Sequence, residues 1–434
     1  VFVPVWGKLG DTIGRKKIYI IGFSMFIVGS VLAGLAWNLG SMIVFRVIQA
    51  IAGSADYPTA MAILSVTFTE GKERAQALGI WSSAFAASAV FGPLIGGPLI
   101  DAFGWRSVFF VNIPVGIIGL LMALAYIKES VSEVKTTSFD WLGAGTLGVA
   151  LSTLVLVLDR GSEWGWFSIG SVFCYALTLV FSWLFYVIEK NHTEPIVDFK
   201  FFANGIFVNA LTNNFLIFMS MMGSVFLIPV FAQTFLGFSA SESGYLFIPM
   251  GIMIPIAAAI GGRFAYKYEP RWVIFVSTAG AAIGFYFLSY LDPKSTAFDI
   301  MIPLGVMAFF MGLGMAQRTN IIASAVDKSE IGVASGILAL ARNIGGAFGI
   351  AIFGTILNNA IQANVLSIGQ NSIIRSTDPN VIQQGIALIQ LKAQVDGYGE
   401  VFIVGAIAMF ISAFPILLMR TRRDAAQTHV HVEA

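Results

Sequence analysis

The chain has 434 residues, of which 57% are hydrophobic and 11% charged, and its mean hydropathy is +0.82. Soluble domains carry about 25% charged residues, so a soluble enzyme, a disordered chain and a nucleic-acid binder are all excluded. The net charge of +1 gives no attraction for a polyanion.

Apolar runs long enough to cross a bilayer lie at 18–37, 41–65, 78–100, 108–127, 141–158 and 169–188. Six more follow at 206–231, 245–264, 273–290, 300–323, 333–357 and 401–419. Backbone polar groups must be satisfied internally in lipid, so each run is predicted as a helix, and the alternating pattern of a membrane barrel is absent. The fold class is therefore an all-α membrane protein with twelve complete crossings. Residues 1–6 read as the inner end of one more.

The short loops set the orientation. If 7–17 faces the cytoplasm, that side collects 17 of the 25 Lys and Arg residues, the other side holds 5, and three lie within spans. This positive-inside excess places the C-terminus in the cytoplasm. Trp37, Trp105, Trp141, Trp164, Trp166 and Trp272 fall at helix ends, as interfacial aromatics do.

The single cysteine, Cys174, allows no intrachain disulfide, and His192, His429 and His431 supply no metal cluster. No nucleophile–base pair is visible, so the chain reads as a non-enzyme without cofactor or metal.

A weak repeat runs through the chain. An offset of 257 lays Glu73 on Glu330, Gly79 on Gly336, Phe91 on Phe348, Gly92 on Gly349 and Gly97 on Gly354. Duplicated helical bundles are a transporter signature, with the ligand site between the repeats near the midplane.

Intramembrane charge narrows the candidates. Asp56 is the acid deepest in a span, and such a carboxylate is a functional hypothesis by default. On a continuous helix Arg46, Gln49, Gly53 and Asp56 share one stripe, predicted to face a central cavity. There Asp56 would load a proton or meet a cationic substrate; the alternative is a buried pair with Arg318 or Arg342. Arg318 is close enough to the inner end of its helix to snorkel. Asn209 and Asn213 lie four apart on one face, able to bind substrate or to join helices. Met219, Met221 and Met222 would line an adaptable pocket or simply pack.

Four stretches resemble the major facilitator superfamily, in particular its 14-helix drug:proton antiporter branch. Residues 7–17 resemble its loop motif, with Gly7, Asp11, Gly14, Arg15 and Lys16 as the gate loop. Residues 41–54, with Arg46 and Gln49, resemble its fourth-helix motif. Residues 88–99 resemble its antiporter motif, in which Gly92, Pro93, Gly96 and Gly97 would allow close helix packing. Trp105, Arg106, Phe109, Asn112, Pro114 and Gly116 resemble a stretch typical of the branch, and Arg342 lies in another. Departures include Thr12, Ala50, Ser88 and Tyr266.

The resemblance implies two pseudo-symmetric six-helix bundles with two inserted helices. The expected division is 1–127 for the N-terminal bundle, 128–190 for the inserted pair, and 191–434 for the C-terminal bundle with an outer loop at 362–399. In that pattern the first helix and most of the second would precede residue 7. The implied function is proton-coupled efflux of amphipathic or hydrophobic compounds by alternating access, driven by the proton gradient. Small-molecule substrate, protons and the lipid bilayer are the expected partners, and the protein is expected to be a monomer in the plasma (inner) membrane. The alternatives are an importer or uniporter of a defined metabolite, and a non-transporting sensor or scaffold.

Overall fold

The computed structural model describes residues 13–68, 91–130, 140–192, 199–264, 268–315, 331–372 and 378–417, with isolated positions elsewhere that include Trp6, Gln317 and Arg318. Among the described residues the chain is helical, without a strand. The first helices are α1 (Arg15–Gly34), α2 (Leu39–Gly53), α3 (Asp56–Thr67) and α4 (Phe91–Phe103). Next come α5 (Ser107–Phe110), α6 (Asn112–Tyr126), α7 (Trp141–Trp164) and α8 (Ile169–Asn191). The remainder are α9 (Gly205–Phe235), α10 (Ala240–Tyr245), α11 (Ile248–Phe264), α12 (Pro270–Leu288), α13 (Ala297–Leu313), α14 (Ile331–Asn371) and α15 (Pro379–Leu417).

Ten stretches of helix are long and apolar enough to cross a bilayer, and Phe91–Phe103 and Ala297–Leu313 are shorter apolar helices. Each of these twelve falls on one of the twelve runs read from the sequence. Their ends follow local chemistry. Asn38 caps α2, accepting from Ser41 N at 2.8 Å, while Ser41 Oγ accepts from Asn38 N. Thr296 and Asp299 form the same reciprocal box on α13. Gly104, at φ +77°, turns the chain from α4 toward α5, a conformation that favours glycine.

One compact unit comprises residues 1–149, 181–196 and 239–245. Its α1 packs backbone to backbone with its neighbours. A Cβ on Gly29 would stand 2.8 Å from Gln49 Cα, and one on Gly116 would stand 2.6 Å from Ile27 Cγ1. Small residues at such crossings replace the hydrophobic drive that lipid removes.

The second unit comprises 150–180, 197–238 and 246–434. Phe231, Phe285, Phe353 and Phe402 are fully buried in its core. Phe285 meets Phe353 at 6.3 Å and Phe402 at 6.0 Å between centroids, both edge-on. Gly405 admits these rings, since a Cβ there would lie 2.7 Å from Phe285.

The stretch 362–399 differs from the expected loop. Its described residues continue α14 to Asn371 and begin α15 at Pro379, so both helices outrun their apolar spans. The run is rich in Ile, Ala, Leu and Gln, which propagate a helix, and Pro379 stands where a helix tolerates it. Trp37, Trp141 and Trp272 are each more than half exposed at helix ends.

Candidate transport site

The first unit holds a cavity of about 120 Å³ lined by Tyr19, Gly22, Phe23, Phe26, Ala52, Gly53 and Asp56. Gly22 and Gly53 leave the space by lacking side chains and Ala52 by carrying only a methyl, and the aromatics project from α1. The helix carrying Asp56 is interrupted beside it. α2 ends at Gly53, the next turn closes with an i→i−3 bond from Ala55 N to Ala52 O at 3.1 Å, and α3 starts at Asp56. The carboxylate thus sits in the first turn of α3, where the peptide dipoles favour negative charge. Asp56 is accessible from the cavity side, and the Tyr19 hydroxyl is the polar group that bears on it. Among the described residues that line the cavity Asp56 is the only acid, and a carboxylate beside stacked aromatic rings is chemistry suited to a proton or an organic cation.

Arg46 and Gln49 do not join this cavity. Arg46 Nη1 donates to Gln49 Oε1 at 2.6 Å, and Gln49 Nε2 donates to Ser30 Oγ at 2.5 Å. The Arg46 guanidinium also lies 5.6 Å from the Phe109 ring centroid. These bonds tie α2 to α1 and α5. The single stripe expected from a continuous helix is therefore divided: Gly53 and Asp56 line the cavity, while Arg46 and Gln49 are bonded to α1 and α5.

In the gate loop, Gly7 and Asp11 lie outside the described residues. Gly14 adopts φ +123°, and a Cβ there would press 2.7 Å from the Glu129 carboxylate. Arg15 N donates to Ser130 O at 3.0 Å, Lys16 N to Glu129 Oε1 at 3.1 Å, and Lys16 Nζ to Leu124 O at 2.8 Å. Glu129 therefore caps α1 from the far end of α6. No local pattern in the sequence announces that partnership across 113 residues.

On α4 the close packing falls on Pro93 and Gly97, one of the two i, i+4 pairs of the motif. Among the described residues nothing lies within 4 Å of a Cβ on Gly92 or Gly96, whereas a Cβ on Gly97 would stand 2.5 Å from Ala240 O and 2.7 Å from Ser241 Cα. A Cβ on Gly244 would in turn strike the Pro93 carbonyl. Gly97 follows Gly96 by one residue, about 100° around the helix, so the other i, i+4 pair, Gly92 and Gly96, points elsewhere.

Arg318, in the second unit, is 4% exposed and does not snorkel. It donates from Nε to Asn213 Oδ1 at 3.1 Å, from Nη1 to Met311 O at 3.1 Å, and from Nη2 to Ser277 Oγ at 2.9 Å and Thr278 Oγ1 at 3.0 Å. Asn213 is thus interhelical glue, also donating to Ser412 O at 3.0 Å. The sequence missed Ser277, Thr278 and Ser412, since small hydroxyl residues in apolar helices are common. Arg342 donates to Asn214 Oδ1 at 3.4 Å and covers the Phe218 ring at 5.1 Å. Asn209, one turn before Asn213, is half-buried. Met219 packs on Gly349 and Met222 on Gly346, while Met221 lies against the core.

Residues 1–350 match the model of the Major Facilitator Superfamily. The chain belongs to this superfamily. It is 32% identical over 395 residues to the multidrug transporter protein MdtP of Bacillus subtilis, covering 91% of this chain and 72% of that protein. It is 30% identical over 439 residues to multidrug resistance protein 3 of the same organism, covering 97% of this chain and 85% of that protein. Among solved structures, a bacterial homologue of the human lysosomal transporter Spinster superposes with TM-score 0.65 at 17% identity, covering 97% of this chain and 87% of that one. That likeness speaks for the major facilitator fold.

The relatives agree with the drug:proton antiporter branch read from the motifs. Within this major facilitator chain, the Trp105–Arg106 pair closes the far end of α1. Arg106 Nη2 donates to Ala36 O at 3.0 Å, and its guanidinium stacks 4.3 Å from the Trp105 ring centroid. Thr12 and Tyr266, two of the departures from the family pattern, lie outside the described residues.

Proposed function

We propose that the protein is a proton-coupled efflux antiporter of the multidrug type, exporting amphipathic or hydrophobic compounds, cationic or neutral, by alternating access. The observation that carries this reading is the Asp56 cavity, a carboxylate at a helix break, walled by Tyr19, Phe23 and Phe26 within the membrane-spanning body. Its relatives' names support the multidrug export half of the proposal. The proton gradient is the energy source and no cofactor takes part. Asp56 takes a proton in one state and gives it up as substrate enters, so carboxylate and cation are never both uncompensated in the cavity.

The same reading makes the protein a monomer of the plasma (inner) membrane with its C-terminus in the cytoplasm, following the basic loops. Arg46, Gln49 and Arg318 hold helices in register. Arg342 and Asn209 are the substrate-contact candidates of the second unit. The inserted pair α7–α8 stands outside the transport steps.

The test uses everted vesicles energised with a pH gradient. Substrate addition should release protons from the vesicle interior, and a gradient indifferent to every amphipathic compound tried would refute the proposal.

A further inference from the structure

We propose that Arg342 and the side-chain amide of Asn214 form a carboxylate-binding subsite in the second unit, which takes the acid group of an amphipathic anion. Counting that anion among the transported compounds rests on the proposed function; the binding itself does not.

Charge is the first observation. The six apolar runs from 206 onward contain Arg318 and Arg342, with Arg263 at the end of one, and no Asp or Glu. The two arginines inside the runs reach adjacent residues of α9. Arg318 Nε donates to Asn213 Oδ1 at 3.1 Å, and Arg342 Nε donates to Asn214 Oδ1 at 3.4 Å. Positive charge gathered in a low-dielectric body favours an anion beside it. Arg318 is 4% exposed and its guanidinium is taken up by Asn213, Met311, Ser277 and Thr278. Arg342 is only half-buried, so it is the arginine of the two that a ligand can reach.

The second observation is a donor left over. Asn214 is 1% exposed, and its Nδ2 finds no acceptor among the described residues. Its neighbour settles its orientation. A guanidinium has no lone pair to offer, so the amide oxygen faces Arg342 and the NH2 group lies beside it. A buried donor in this condition destabilises the fold, and an acceptor oxygen relieves it. One carboxylate offers two oxygens, enough for Asn214 Nδ2 and the guanidinium together.

Packing supplies the third. A Cβ on Gly345 would stand 2.7 Å from Phe215 O, and one on Gly346 3.0 Å from Met222 Cγ, so α14 runs close along α9 one turn beyond Arg342. The Phe218 ring centroid lies 5.1 Å from the guanidinium and gives the subsite an apolar wall. Asn214 and Arg342 lie eight and nine residues into their apolar runs, about 12–14 Å, too deep for a lipid headgroup.

The test is equilibrium binding to the purified full chain in lipid nanodiscs, corrected for empty nanodiscs. The probes are dansylated undecanoic acid and its methyl ester, at about pH 8, where the acid is ionised. The wild type should bind the acid at least about tenfold more tightly than the ester, as charge-assisted hydrogen bonds predict. Arg342→Gln should remove that preference, and Arg342→Lys should keep part of it. Asn214→Asp should also remove it, because the new carboxylate occupies Arg342. Equal affinities for acid and ester in the wild type would overturn the subsite without any variant. So would a preference that survives in a folded Arg342→Gln protein. Because binding needs no proton gradient, an acid preference without antiport would count against the proposed function alone. Antiport of cations without the preference would count against this subsite alone.

Discussion

Arg318 Nε donates to the side-chain carbonyl of Asn213 at 3.1 Å, joining α9 to the chain just beyond α13. Around that bond the acceptors among the described residues are all neutral, from Met311, Ser277 and Thr278. A buried charge treated this way depends on every acceptor, because each one lost leaves a donor dry.

Asn213→Leu should therefore lower stability by about 1.5–3 kcal/mol, the range for a hydrogen bond to a charged group. Arg318→Lys should not recover wild-type stability, since an ammonium cannot reproduce the planar fork. Thermal unfolding in detergent, followed by the loss of monodisperse protein, measures both.

Asp56→Asn should leave the protein inserted and folded while abolishing substrate-dependent proton release. Asp56→Glu should retain part of it. Normal release from the Asn variant in everted vesicles would remove Asp56 from the coupling step.

Filling the cavity should separate binding from stability. A Cβ on Gly53 would stand 3.2 Å from Phe26 Cδ2, so Gly53→Val places further atoms into the cavity itself. A steric obstruction worth about 1–3 kcal/mol would weaken substrate affinity roughly fivefold to 150-fold. Gly22→Ala acts differently. Its Cβ would lie 2.5 Å from Ala55 Cβ, so it should push α1 from the α2–α3 junction and lower the melting temperature. Equilibrium binding and thermal unfolding on both variants distinguish the two effects.

The membrane-length helices were legible because lipid allows the backbone few alternatives, and the family motifs were legible because they are strings of specific residues. Asp56 stood out for the same reason, as a carboxylate in apolar sequence. Its lining did not, since Tyr19, Phe23 and Phe26 look like any lipid-facing aromatics until α1 is docked on α2. The repeat misleads in detail. Gly92 is open where its counterpart Gly349 backs onto Met219, and Gly97 is tight where Gly354 is open. Sequence periodicity places a glycine on a helix, but the neighbouring helix decides whether it matters. Glu129 and Asp101 were missed because they bind backbone N–H groups more than a hundred residues away, which have no side-chain signature.

The two long helices α14 and α15 have a practical consequence. Forty-one helical residues extend about 60 Å, twice the roughly 30 Å of hydrocarbon, and Asn364 Nδ2 fastens to Glu400 Oε1 at 2.8 Å beyond the apolar spans. Helix ends that outrun a detergent belt would give particle images a direction and antibody fragments a firm place to grip.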